Sequence, residues 1–358
     1  MKKIHNVVGL MSGTSLDGLD LAYCTFRNEQ NNWKFKIEKT QTLAYNNHWK
    51  KQLRGSMVLQ GDQLLELHHA YGLWLGVAAV DFIRKNDLKV DLIASHGHTV
   101  FHQPEKGVTF QLGEGQSLAA KSGRPVVSDF RTKDVVLGGQ GAPLVPIGDD
   151  LLFNEYQACL NLGGIANISF SHDGLRRAFD ISPANMLLNF LAAQSGYEYD
   201  REGEIAKSGE IDTTLLNALN ALPYYNLPMP KSLGYEWFSH EVLPLIDSSM
   251  ASTQDIMATA VAHEATQISR VINQYLESGD RVLVTGGGAL NTFLVESIKG
   301  QLAPGIYLVI PEKQLINFKE AMVFAFMGLL RWQNKINCLH TVTGAKKDSS
   351  CGIVYLPG

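Results

Sequence analysis

The sequence predicts an α/β protein of two domains with related topology, and three observations carry that prediction. Length is the first: 358 residues correspond to roughly two domains of about 150 residues each. The second is a pair of strand-like runs joined by a glycine turn, which occurs near residue 10 and again near residue 160. The third is that each hairpin leads into a third strand and then a helix, so the two halves repeat one order.

Taken in order, Val7–Met11 is an apolar strand, Ser12–Gly18 a glycine-bounded turn, and Leu19–Cys24 the returning strand of a hairpin. A third strand is expected around Trp33–Thr42. Leu64, Leu67, Tyr71, Leu75, Ala78 and Phe82 fall at helical spacing and predict a helix over Gln60–Lys85. Asp91–Ser95 is a short buried strand ending in His96-Gly97-His98. The second half repeats the pattern: strand Tyr156–Asn161, turn through Gly163-Gly164, strand Ala166–Phe170, strand Leu175–Asp180, and a helix Pro183–Ala193 opened by Ser182. A helix Thr253–Leu276, a strand Val282–Thr285, a helix Leu290–Lys299, a strand Ile306–Ile310 and a helix Lys319–Trp332 follow. The breaker cluster Gly138-Gly139-Gln140-Gly141-Ala142-Pro143 puts the domain crossing at 130–145. The expected domains are therefore 1–135 and 136–358, with the last helix or tail free to pack back on the first. Both glycine hairpins are expected beside a shared cleft.

Composition narrows the function classes. Hydrophobic residues are 45% and charged residues 18%, which supports sizeable cores and excludes a disordered chain. The net charge of −4 and the lack of any Lys/Arg run argue against a nucleic-acid partner. Cys24, Cys159, Cys338 and Cys351 are scattered and form no CxxC pair, as expected of reduced thiols in a cytoplasmic protein. The start of the chain is too polar for a signal peptide, and no apolar run approaches the ~18 residues of a membrane span, so no membrane partner is expected.

Four motifs can carry chemistry. Gly13-Thr14-Ser15-Leu16-Asp17-Gly18 has P-loop glycine spacing, but Leu19-Asp20 replaces the Lys-Ser/Thr and the loop joins two strands. Its N–H and hydroxyl groups still suit phosphate oxygens, and Asp17 could hold Mg²⁺ through water, whereas an ordinary turn would use the same residues. Gly286-Gly287-Gly288 follows a strand and precedes a helix, and Asn291 stands where the dinucleotide fingerprint has its third glycine. Ligand approach and close helix–strand packing both fit that run. Asp180, at a strand end before a helix, suits either a general base or an N-cap. His96 and His98 would share a strand face, and polar substrate contact, or simply hydrogen-bonded histidines at a strand end, fits them better than metal, because no further ligands lie at zinc spacing.

Together these motifs resemble the signature of the anhydro-N-acetylmuramic acid kinases. The resemblance runs through Gly9–Gly18, Ser95-His96-Gly97-His98-Thr99, Asp129-Phe130-Arg131, Gly138–Pro146, Asn161–Asn167, Pro230-Lys231-Ser232, Gly286–Asn291, Glu320-Ala321 and Val342–Ala345, nearly the whole chain. It implies two actin-like ATPase domains of ribonuclease-H-like topology with an interdomain cleft, and ATP and Mg²⁺ as cofactors. It also implies cytoplasmic cell-wall recycling, in which the 1,6-anhydro ring is opened by water and O6 is phosphorylated to give N-acetylmuramic acid 6-phosphate and ADP. Asp180 and Glu320 would be catalytic. Gly13 to Asp20, Gly163, Gly164, Gly286 to Gly288 and Asn291 would face the nucleotide. Ser12, His96, His98, Arg131 and Asn185 would face the sugar, with Arg131 pairing its lactyl carboxylate or, equally, Asp129 or Asp134.

Several positions depart from the family pattern. His98 replaces a usual Gln, Ile181-Ser182-Pro183-Ala184-Asn185 replaces Thr-Gly-Pro-Gly-Asn, Asn189 replaces an Asp, and Gly148 replaces a His. These bear on the sugar more than on ATP. A kinase for another anhydro- or amino sugar, or a non-catalytic ATP-binding protein, therefore stays open, as does a homodimer.

Overall fold

The computed structural model describes residues 4–13, 16–30 and 32–358. Its strands, in chain order, are β1 (Ile4–Ser12), β2 (Gly18–Glu29), β3 (Asn32–Ala44), β4 (Leu92–Ser95), β5 (His98–Gln103), β6 (Val108–Leu112), β7 (Val126–Ser128), β8 (Ala158–Leu162), β9 (Ile165–His172), β10 (Leu175–Pro183), β11 (Arg281–Thr285), β12 (Tyr307–Val309) and β13 (Ile353–Tyr355). The chain divides into two compact units, one of residues 1–152 with 318–358 and one of residues 153–317.

The sheets of the two units show why the sequence repeats. The first is ordered β3-β2-β1-β4-β7-β13, and the second β10-β9-β8-β11-β12. In each, three strands form an antiparallel meander, and a fourth and fifth add in parallel to the first strand. The parallel additions need crossovers, and long helices supply them. In the first unit, Val8, Leu10 and Leu21 pack with Tyr71, Leu75 and Ala79 of the helix Gly61–Lys85. The other face of β1 meets the helix Lys313–Trp332 so closely that a Cβ on Gly9 would lie 1.9 Å from the Ala321 carbonyl oxygen. That contact seats Glu320 over the first sheet. In the second unit, Leu160, Ile168 and Val284 pack with Val261, Ala265 and Ile268 of the helix Thr253–Tyr275.

Several expected boundaries move, among them the start of the last long helix, which lies at Lys313 and not at Lys319. The first unit runs through Leu152 rather than stopping at the Gly138–Pro143 cluster. The helix Pro146–Leu152 is held there by an ion pair of 2.7 Å between Asp149 and Lys319, and by Gly148 packing on Val323. Ser182 does not open a helix. β10 continues to Pro183 and the helix begins at Asn185, because the Gly163 and Gly164 carbonyls accept from the N–H groups of Ala184, Asn185 and Met186 and replace a side-chain cap. The helix expected from Leu290 starts at Thr292 after a 3₁₀ turn Gly287–Leu290, with Asn291 as its cap. All four cysteines are buried, and no helix among the described residues is long and apolar enough to cross a membrane.

Candidate active site

In the first unit, the residues singled out around the histidines form one buried hydrogen-bonded group. β4 ends at Ser95, Gly97 turns with φ 72°, and His98 opens β5, so the two histidines stand on either side of a turn and not on one strand face. His96 Nδ1–H donates to the Gly97 carbonyl at 2.9 Å, and its Nε2 accepts from Arg131 Nε (3.1 Å) and Nη2 (2.8 Å). Both ring nitrogens are thus engaged, which disfavours metal ligation. Burial first, and then the Arg131 charge, hold His96 well below the usual histidine range, so the ring is a neutral acceptor. His98 is pushed down to about 4 by burial, and its Nδ1 meets Ser12 Oγ at 3.1 Å. Tyr45 donates to that hydroxyl at 2.8 Å and meets Tyr71 at 2.6 Å, fixing Ser12 at the end of β1.

Arg131 is tied to neither nearby aspartate. Its Nη1 donates to the Gly141 carbonyl at 2.6 Å, while Asp129 takes the Thr132 N–H and Asp134 takes Gly141 N (2.8 Å), Thr343 Oγ1 (2.8 Å) and Cys338 Sγ (3.1 Å). Asp134 therefore holds the glycine loop that in turn holds the arginine. Three of the five guanidinium N–H groups are used, and the others remain for an acceptor. Burial lowers Arg131 to about 10 and the Glu320 carboxylate opposes that, so it stays charged at neutral pH. Glu320 reaches solvent yet is densely surrounded; that desolvation raises its pKa, Arg131 and Lys319 pull it back, and Asp20 adds to the rise. Asp20 is itself raised by burial, lowered by a 2.6 Å hydrogen bond from Thr42 Oγ1, and raised by the charge of exposed Asp17.

The N-terminal hairpin is partly described. Thr14 and Ser15 lie outside the described residues. Gly13 follows β1 directly, Leu16 is buried with φ 60°, and Leu19 is core. Gly18 faces the Leu43 carbonyl at 2.7 Å from where a Cβ would sit.

In the second unit, Asp180 is not an N-cap. It lies within β10, paired with Asn167, and the chain bulges directly after it. Its Oδ2 accepts from Leu233 N at 2.9 Å, its N–H donates to the Lys231 carbonyl at 3.2 Å, and its carbonyl accepts from Tyr224 OH at 2.7 Å. Burial raises the carboxyl to about 6 against the lowering by Leu233 N–H.

The glycine motifs of this unit divide by role. A Cβ on Gly286, at φ 82°, would sit 2.6 Å from the Leu162 carbonyl carbon, and one on Gly288 would sit 2.8 Å from Leu162 Cβ. Both are packing glycines. Gly287 and Gly164 face open space, save for Asn185 Nδ2 at 3.6 Å from the first. Asn185 donates to the Leu162 carbonyl at 3.0 Å, which groups it with these turns. Asn291 Oδ1 accepts from Leu294 N at 3.0 Å, so that oxygen caps its own helix. A pair of variants separates the roles. Gly287→Ala is expected to leave the melting temperature unchanged and weaken ATP binding by calorimetry, whereas Gly286→Ala should lower stability by about 1–3 kcal/mol through overpacking.

Sequence reasoning named Asp134 only as a partner for Arg131 and missed its hold on the glycine loop, together with the Tyr45–Tyr71 pair, the Asp149–Lys319 pair, and the Leu233 N–H that holds Asp180. Only Asp149–Lys319 had a signal, Lys319 being adjacent to Glu320. Gly148 also gains a reason: a Cβ there would lie 2.6 Å from Val323 Cγ2, so a larger residue would have to displace Val323.

Comparison with known proteins agrees with these motifs. The family model described as anhydro-N-acetylmuramic acid kinase matches residues 5–357. The protein of that name from Xanthomonas oryzae pv. oryzae is 35% identical over 369 residues, covering 97% of this chain and 96% of its own. Its Haemophilus influenzae counterpart is 33% identical over 377 residues, covering 97% of each. Among solved structures, the Clostridium difficile activator of 2-hydroxyisocaproyl-CoA dehydratase with bound ADPNP matches 93% of this chain and 97% of its own at 12% identity, with a TM-score of 0.41, too distant to carry a conclusion. With the family model spanning nearly every residue, the chain belongs to the anhydro-N-acetylmuramic acid kinase family, a family of ATP-dependent sugar kinases.

Proposed function

We propose that this chain opens the anhydro ring of its sugar with water activated by Asp180 and directs the freed O6 to the γ-phosphate of ATP. The observation that carries this is the Asp180 carboxyl itself, held by the Leu233 N–H and raised to about 6, close to the pH at which a general base is most effective. Asp180 takes the proton of the attacking water. As the bond from the anomeric carbon to O6 breaks, O6 gains the electron pair with which it attacks phosphorus, and ADP leaves. Glu320 is a second carboxylate for the reaction. Arg131, with unused N–H groups and its charge intact, binds the lactyl carboxylate of the sugar. Neutral His98, its Nδ1 held by Ser12, keeps Nε2 for a sugar hydroxyl.

The paired sheets support reading both units as actin-like ATPase domains. Gly13 on one hairpin, and Gly164 and Gly287 in the other unit, offer backbone to the nucleotide, with Asn185 beside Gly287. Asp17 and Asp20 fit a Mg²⁺ ion, since the charge of the first already disfavours ionisation of the second. Bound there through water, Mg²⁺ would neutralise phosphate charge. A cytoplasmic location follows from the ATP requirement and reduced thiols. The test is ADP release across a panel of anhydro- and reducing amino sugars. Turnover confined to anhydro-N-acetylmuramic acid is expected, and preference for a reducing sugar would reject the ring-opening step.

A further inference from the structure

The second unit contains a cavity of about 490 Å³ that none of these roles uses. Phe179 and Ile181, the chain neighbours of Asp180, line it, so by strand alternation the Asp180 side chain points to the other face. Its size suits a single substituted ring, and Phe179, Tyr225 and Tyr275 give it aromatic walls.

Two cations face this space. Lys231 Nζ donates to the Tyr224 and Tyr225 carbonyls at 3.1 and 3.3 Å and lies 4.6 Å from the centre of the Tyr224 ring. Arg270 Nη2 donates to Asn226 Oδ1 at 3.1 Å. Among the described residues, neither makes an ion pair with a carboxylate. Burial first, and then the charge of Arg270, lower the Lys231 pKa, so the two cations repel across the cavity with no anion between them. Glu264, one turn before Gln267 on the same helix, is a poor counter-charge for them, because it is fully buried and desolvation raises its pKa well above the usual carboxylate range.

We propose that this cavity is a second ligand site, for a sugar phosphate, whose phosphate bridges Lys231 and Arg270 while the ring lies among Phe179, Tyr225 and Tyr275. A phosphate fits better than a carboxylate because two unneutralised cations match a dianion, and the arginine fork and lysine point charge are both phosphate binders. The site is wired to Asp180. The Lys231 carbonyl accepts the Asp180 N–H, and Leu233, two residues on, holds the Asp180 carboxylate. Occupancy therefore raises the Asp180 pKa by placing negative charge behind its strand, an effect that rests on reading Asp180 as the base.

Calorimetry on the full chain with glucose 6-phosphate, glucose and inorganic phosphate tests the site. Glucose 6-phosphate is expected to bind the wild type, and above pH 6 to bind Asp180→Asn more tightly, because a ligand that raises the Asp180 pKa binds better once that charge is gone. Arg270→Gln, a change at an exposed residue, is expected to weaken it by about 10–100-fold, the worth of charge-assisted hydrogen bonds. Glucose and inorganic phosphate alone should each bind at least about tenfold more weakly. No binding of glucose 6-phosphate, or binding indifferent to Arg270→Gln, overturns the site, and phosphate binding as tightly as the sugar phosphate overturns the ring half of it. The regulatory half is read from the acid limb of the pH–rate profile. Saturating glucose 6-phosphate should move it to higher pH, and an unmoved limb rejects the coupling. Full activity of Asp180→Asn would instead remove the base assignment and leave the binding result standing.

Discussion

Asp180→Asn is expected to lose about 10²–10⁴-fold in turnover while keeping its fold and its affinity for ATP. The asparagine carbonyl can still accept the Leu233 N–H, so the loop Lys231–Leu233 stays in place and only proton acceptance is lost. Steady-state kinetics and thermal melting on one preparation decide the matter. Full activity would show that the carboxylate takes no proton in the reaction. The wild-type rate should rise with pH through about 6 and level off above it, since the ionised form is the base.

The same carboxyl makes a stability prediction of definite sign. Its folded pKa of about 6 lies above the 3.8 of an unperturbed aspartate, so the folded state binds the proton more tightly. Stability therefore falls as pH rises from about 4 to 6, and the cost stays in full above that window. Removing the charge relieves it: Asp180→Asn should be more stable than the wild type at pH 8, by on the order of 1–3 kcal/mol after allowance for partial exposure, and equal to it near pH 4. An N-cap role would show no such pH dependence.

Arg131→Leu is expected to raise KM for the acidic sugar by about 30–1000-fold, corresponding to about 2–4 kcal/mol for losing one partner of a desolvated charge pair. Some stability should go as well, because His96 Nε2 and the Gly141 carbonyl lose their donor. The control is an anhydro sugar without the lactyl group, used as a competitive inhibitor, whose inhibition constant should change far less. Equal losses for both sugars would assign Arg131 to holding the glycine loop and not to the carboxylate. Arg131→Lys should rescue little, since an ammonium cannot serve His96, Gly141 and a carboxylate in one plane.

The sequence by itself determined the class of fold, the repeated order of elements and the residues that carry the family's motifs. Strand and helix periodicity are local, and a glycine turn between apolar runs forms a hairpin wherever it stands, so β1–β2 and β8–β9 could be placed from spacing alone. Tertiary structure decided what those residues do to one another. Spacing left Asp180 even between base and cap. The carbonyls of Gly163 and Gly164, distant in sequence, accept from the N–H groups at the helix start and free the aspartate from capping, while the N–H of Leu233, over fifty residues away, donates to its carboxylate. Gly286, Gly287 and Gly288 are identical in sequence, and only Leu162 against the outer two separates packing glycines from the open one. Arg131 had two aspartates within four residues, yet Asp134 is engaged by Thr343 and Cys338 from the far end of the chain, which leaves the arginine to His96. Each outcome depends on hydrogen-bond partners brought together by the fold across long stretches of chain, and the pKa of each group follows from the burial those contacts create.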